Sequence, residues 1–127
     1  MVEHGTFGWN ELMSQDVEKA KTFYSAALGW SFDGMPMPQG TYWIAKMGDK
    51  MVAGLFDSAA AGMKDVPESW MGYINVDDID ARCAKAKAAG ATILREPWDV
   101  EGVGRIAILQ EPGGATIGWM TPAPPPA

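Results

Sequence analysis

Along the chain the hydrophobic and polar positions change period several times, and each change marks an element. Phe7, Trp9 and Glu11 alternate with Gly8, Asn10 and Leu12, the two-residue repeat of a strand with an acid on one face. From Asp16 the repeat lengthens. Val17, Ala20, Phe23, Tyr24, Ala27 and Leu28 fall three and four apart and make one helical stripe. Ser14 is the expected cap, Asp16 and Glu18 suit the positive end of the helix dipole, and Gly29 suits the stop. Trp30 to Met35 reads as a strand ended by Pro36, Pro38 and Gly40, and Thr41 to Met47 as another whose Tyr, Trp and Ile have β propensity. Gly48-Asp49 is a hairpin signal of the Gly-first kind, returning the chain along Lys50 to Phe56.

Ser58 to Pro67, rich in Ala and Gly, is the expected linker, and after it the pattern restarts. Trp70 to Val76 alternates as a strand, Asp77-Asp78-Ile79-Asp80 opens an acid-rich first turn, and Ile79, Cys83, Ala86 and Ala89 share a helical face that Gly90 ends. Ala91 to Trp98 and Val103 to Gln110 read as strands, and Glu111-Pro112-Gly113-Gly114 as a turn into a last strand, Ala115 to Met120. The proline-rich tail from Thr121 is expected to be extended and poorly ordered. The order strand–helix–strand–strand–strand thus occurs twice, with Asp78 standing 62 positions after Asp16. This predicts an α+β fold of two βαβββ modules in one chain, at about 6–57 and 68–121, with a linker at 58–67 and a tail at 122–127. Each module makes a curved, mostly antiparallel sheet with its helix on the outer face, and two such sheets side by side make a trough.

Composition narrows the class. At 127 residues, 47% apolar and 20% charged, the sequence suits a single domain over 1–127 with a core that needs no staples. The lone Cys83 cannot close an intrachain bridge. A net charge of −6 argues against nucleic acid and against an anionic membrane surface. No apolar run approaches the roughly 20 residues that span a bilayer, and Met1-Val2-Glu3-His4-Gly5 lacks the features of a signal peptide, so a cytoplasmic protein is expected. Nine Met and six Trp are many for this length. They either fill a core or line a pocket.

Gly8-Trp9-Asn10-Glu11-Leu12, Asp16, Phe23-Tyr24 and Leu28-Gly29-Trp30 recur in a recognisable order with Val76-Asp77-Asp78-Ile79, Gly102-Val103-Gly104-Arg105 and Glu111-Pro112-Gly113-Gly114. From about Thr6 to Pro122 the chain resembles the glyoxalase/bleomycin-resistance/extradiol-dioxygenase superfamily, also called vicinal oxygen chelate. The resemblance implies paired βαβββ modules around a small-molecule cavity, homodimers and, in the enzymes, a divalent metal chelating two neighbouring oxygens. It also places the metal ligands on Trp9, Met71, Gly118 and a position within Val52-Ala53-Gly54-Leu55, none of which offers the carboxylate or imidazole that such a cation prefers. No cofactor is therefore expected. The alternative is a divalent metal on shifted ligands such as Glu11, His4 or Asp57.

By the same resemblance, Trp9, Glu11 and Met13 face the trough from the first strand, Met71, Tyr73 and Asn75 from the fifth, and Thr116 and Met120 from the last, while Trp119 has the parity of the helix-packed face. Glu11, set between a Trp and a Met, is the candidate general base, and desolvation there would raise its pKa; its plain alternatives are an acid paired with Arg105 or a lysine, or simply a rim residue. Tyr73 and Arg105 are candidates to steady developing negative charge, with Arg105 alternatively a surface arginine beside Glu96 and Glu101. Trp9, Met13, Met71, Asn75, Thr116 and Met120 are candidate ligand contacts. His4 is expected to be inert and Cys83 to be a buried small hydrophobe. Two functions follow. One is a protein that binds a small aromatic or oxygenated molecule in an apolar trough without the family metal. The other is a metal-dependent lyase, isomerase or dioxygenase of the same superfamily.

Overall fold

The computed structural model describes residues 3–38, 40–59, 68–100 and 103–123. Ten elements follow one another: β1 (Phe7–Ser14), α1 (Val17–Leu28), β2 (Ser31–Met37), β3 (Gly40–Met47), β4 (Lys50–Asp57), β5 (Ser69–Asn75), α2 (Ile79–Ala88), β6 (Thr92–Val100), β7 (Gly104–Gln110) and β8 (Thr116–Pro122). This is the α+β, twice-repeated βαβββ order expected of the sequence. The chain forms two compact units, Trp9–Met71 and Met1–Gly8 with Gly72–Ala127, so the N-terminal residues up to Gly8 group with the second repeat. The boundary at 58–67 lies mostly outside the described residues. Its first residue, Ser58, is fully buried and donates through both N–H and Oγ to the carbonyl of Ser14.

In the unit Trp9–Met71 the strands lie in the order β2-β3-β4-β1, antiparallel except for the parallel β4–β1 pair. Leu12, Ala45, Ala53 and Leu55 turn to one face and bury against Ala20 and Tyr24 of α1. The cap of α1 is Asp16 rather than Ser14: the Asp16 carboxylate accepts from the N–H of Lys19, and Ser14 Oγ accepts from the N–H of Asp16. Gly29 ends the helix at a positive φ of 79°, a conformation glycine adopts without steric cost. β2 does not stop at Pro36 but runs through it, pairing Pro36 with Thr41. As the outer strand of this unit, β2 tolerates a residue without an N–H donor.

In the other unit the order is β5-β8-β7-β6, with β5–β8 parallel and the rest antiparallel. Val76, Ile79, Cys83, Ala107 and Leu109 form its core, with Ile74, Ile93, Ile117 and Trp119 packed on it. Asp78 caps α2 as Asp16 caps α1, its carboxylate accepting from the N–H of Ala81. The tail starts later than its prolines suggest. Pro122 still pairs with Gly104, and Thr121 Oγ1 accepts from Ile79 N–H and donates to the Val76 carbonyl, which ties β8 to the start of α2. Among the described residues no helix is long and apolar enough to cross a membrane.

Candidate functional site

Strand alternation separates a helix-packed face from an opposite face in each unit. In the unit Trp9–Met71, Leu12 faces α1, so Trp9, Glu11 and Met13 turn to the other side. Tyr42 turns there too, because its neighbour Trp43 packs on the helix side. The Tyr42 hydroxyl accepts from Trp9 Nε1–H at 3.0 Å and donates to Glu11 Oε2 at 2.8 Å. To reach both, the ring crosses β4, which lies between β3 and β1, at Gly54, the partner of Glu11. A Cβ at Gly54 would run into that ring and hydroxyl. Met13 is buried, and Trp9 and Glu11 are half-buried. A crevice of about 40 Å³ lies beside Tyr42, lined also by Met37, Gly40, Thr41, Phe56 and Asp57.

The second unit repeats the arrangement with other residues. Register places Tyr73 beside Gly118 and Asn75 beside Met120, and sets Gly118 against Ile108, Met120 against Ile106 and Thr116 against Gln110. Tyr73, Asn75, Thr116 and Met120 therefore share the face opposite α2, while Trp119 packs with the helix core. The Tyr73 ring lies on Gly118, where a Cβ would collide with it, and Tyr73 is only 6% exposed. Asn75 lies against Gly8 in the same manner, with its Oδ1 buried and without a partner among the described residues. Met71, two residues before Tyr73 on β5, is buried, and Thr116 is exposed.

Arg105 is not brought to that face. It stands on β7 with the parity of Ala107 and Leu109, its Nε and Nη2 donating to Asp80 at 2.9 and 3.1 Å and its Nη1 to Asp99 at 3.2 Å. The partners of the surface-arginine alternative are thus Asp80 and Asp99, while Glu96 pairs with Lys87 of α2. The Arg105 guanidinium holds the Asp80 carboxyl below its ordinary range. Cys83 sits in the helix core, where burial pushes its thiol pKa up and makes a poor nucleophile. His4 Nδ1 accepts from the N–H of Asp77 at 3.1 Å.

These residues do not fit the family metal. Of the positions that the resemblance gives to its ligands, Trp9 and Met71 carry no hard donor, Gly118 is covered by Tyr73, and Gly54 in the remaining stretch is covered by Tyr42. Within neither unit do three His, Cys, Asp or Glu among the described residues gather as a metal ion requires. One residue that sequence reading missed is Tyr42. Its signal was Gly54, a glycine inside an apolar strand run, which often marks a close approach by another group.

The family model for the Glyoxalase/Bleomycin resistance protein/Dioxygenase superfamily matches residues 6–118. CFP32 of Mycobacterium tuberculosis, which carries a glyoxylase name, is 41% identical over 123 residues, or 96% of this chain and 46% of that protein. The anthracycline biosynthesis protein DnrV of Streptomyces peucetius is 29% identical over 125 residues, covering 89% of this chain and 46% of its own. The chain thus spans about half the length of the curated relatives it matches. Among solved structures, methylmalonyl-CoA epimerase from Mycobacterium tuberculosis aligns with a TM-score of 0.64 at 18% identity, over 98% of this chain and 94% of that one. The hypothetical protein BH1468 from Bacillus halodurans aligns with a TM-score of 0.70 at 15% identity, over 98% and 99%. At such identities the structural likeness speaks for the fold alone. With the model matched across most of its length and its elements in the doubled βαβββ order, the chain belongs to the glyoxalase/bleomycin-resistance/dioxygenase superfamily.

Proposed function

We propose that the chain binds a small aromatic or oxygenated molecule against the helix-free faces of its strands, and that it does so without a divalent metal. The observation that carries this reading is the pair of tyrosine-on-glycine contacts, Tyr42 on Gly54 and Tyr73 on Gly118. An aromatic ring stands over Gly118, a position the resemblance gives to a ligand, and over Gly54, within the stretch that it gives to another, and each brings an aromatic surface instead of a chelating oxygen. Within the unit Trp9–Met71, Trp9 and Met13 add stacking surface and adaptable apolar contact beside Tyr42, the materials of a site for a flat organic body. The relative named for anthracycline biosynthesis supports the same class, since anthracyclines are planar, heavily oxygenated aromatics.

A second reading, proton transfer, is favoured by one feature: the Glu11 carboxylate is fixed by Tyr42, itself held by Trp9, so a base would be oriented on that face. The test of binding is isothermal titration of EDTA-treated protein with 2-naphthamide, a neutral flat aromatic. Saturable one-to-one binding that Tyr73→Ala weakens is expected. An absence of binding, or binding that returns only with added metal, overturns the reading.

A further inference from the structure

The structure assigns a further element to this site: Arg95, stacked on Trp98, is an anion-recognising residue that selects a ligand with a carboxylate or other anionic oxygen group on its aromatic body. This rests on the binding reading above. In a regular strand, residues three apart point to opposite faces. β6 is not regular, since its register against β7 shifts between Ile93 and Arg95 and again between Arg95 and Trp98. Arg95 consequently stands opposite Ile108, and Trp98 opposite Ile106. Bulges on an outer strand commonly re-aim side chains in this way.

The effect is two continuous rows across the helix-free face of this unit. One runs Tyr73, Gly118, Ile108, Arg95, and the other Asn75, Met120, Ile106, Trp98. The rows join a tyrosine and an asparagine at one side to an arginine and a tryptophan at the other across an apolar middle. The Arg95 guanidinium lies over the Trp98 ring with Cζ 3.6 Å from its centroid. Stacking of this kind occupies the plane of the guanidinium and leaves the N–H edge for hydrogen bonds in that plane.

Ion pairing sets Arg95 apart from the other two arginines. Arg82 is held by Asp77, and Arg105 by Asp80 and Asp99, whereas Arg95 has no carboxylate at ion-pair distance among the described residues. Its neighbour Glu96 is turned to Lys87. A guanidinium placed over an indole, with no carboxylate paired to it among the described residues and an apolar floor beside it, matches a planar ligand ending in a carboxylate. In a chain of net charge −6, this places a local positive group on the face where the ligand is proposed to lie.

The test compares three probes of one shape by isothermal titration: 2-naphthoate, neutral 2-naphthamide and cationic 2-naphthylmethylammonium. The anion is expected to bind about tenfold more tightly than the amide, with the cation weakest. Arg95→Gln should abolish the preference for the anion over the amide, and Arg95→Lys should fall between, because lysine keeps the charge but not the fork. The Trp98 indole N–H should shift in the NMR spectrum on adding naphthoate. Equal binding of anion and amide to the unaltered protein overturns this inference and leaves the binding reading standing, as does an anion preference that survives Arg95→Gln. Failure of all three probes to bind overturns both.

Discussion

Two glycines decide how the helix-free faces are built. Gly54 and Gly118 each lie under a tyrosine ring, and a methyl group at either would have to displace that ring from a packed position. Ala at Gly54 or Gly118 is expected to cost roughly 1–3 kcal/mol, the range of an overpacked site. Ala at Gly113, where a Cβ meets nothing within 4 Å and φ is not positive, should cost less than about 0.5 kcal/mol. Urea melts measure all three, and a double cycle with Tyr42→Ala should show that Gly54→Ala costs less once the ring is gone. Equal stability of the Gly54 and Gly113 variants would remove the steric account. The Tyr42 contact was not legible in the sequence because 31 positions separate it from Glu11, and it exists only if β4 lies between their strands. Arg95 escaped for a related reason: an alternating register read from letters cannot foresee two irregularities between Ile93 and Trp98.

Elements were more legible than contacts, where local chemistry set them. Asp16 and Asp78 announce both helices, and each accepts from the N–H three residues on. β2 was misjudged at Pro36 because the tolerance of a strand for proline depends on whether a neighbour pairs beyond it, which one segment cannot tell. The acids at the start of α2 also read correctly as a helix terminus, and the structure adds their partners. Arg82 holds Asp77, and Arg105 ties Asp80 of the helix to Asp99 of β6. Hydrogen bonds from Arg82 and Arg105 lower the Asp77 and Asp80 carboxyls from the ordinary value of 3.8. A carboxyl lowered in the folded state contributes stability that is fully present above the unfolded value and is lost as pH falls through it towards the folded one. The melting temperature should therefore decline below about pH 4, and Asp77→Asn with Asp80→Asn should flatten that decline by lowering the melting temperature at pH 7 towards its acid value. Both carboxylates are largely exposed, so the effect is modest and shrinks in salt. An unchanged acid slope in the double variant would show that these pairs do not hold α2.

At the scale of the whole molecule, the surplus of large soft side chains can be followed to its places. All six tryptophans have a partner: Trp9 with Tyr42, Trp30 and Trp70 with Tyr24 in a stacked and edge-on cluster, Trp43 under Lys21, Trp98 under Arg95, and Trp119 in the second core. Trp9 and Trp98 are the two of these placed on helix-free faces, while Trp30, Trp43, Trp70 and Trp119 serve packing around the helices. The acids show the complementary pattern. Asp33 and Glu96 are engaged by lysines, Glu11 by a tyrosine and Asp77 by a backbone N–H, arrangements that satisfy a carboxylate without a metal ion. A metal on shifted ligands would have to break such contacts and assemble three donors that neither unit gathers among its described residues. Dialysis against EDTA is therefore expected to leave the melting temperature unchanged, and millimolar Mn²⁺, Ni²⁺ or Zn²⁺ to move it by less than about 1 °C. A resident ion at a hundred times its dissociation constant would add about 2.7 kcal/mol and raise the melting temperature by several degrees, so the two outcomes separate cleanly. A shift of that size, with one ion per chain in native mass spectrometry, would replace the metal-free reading with the chelating one.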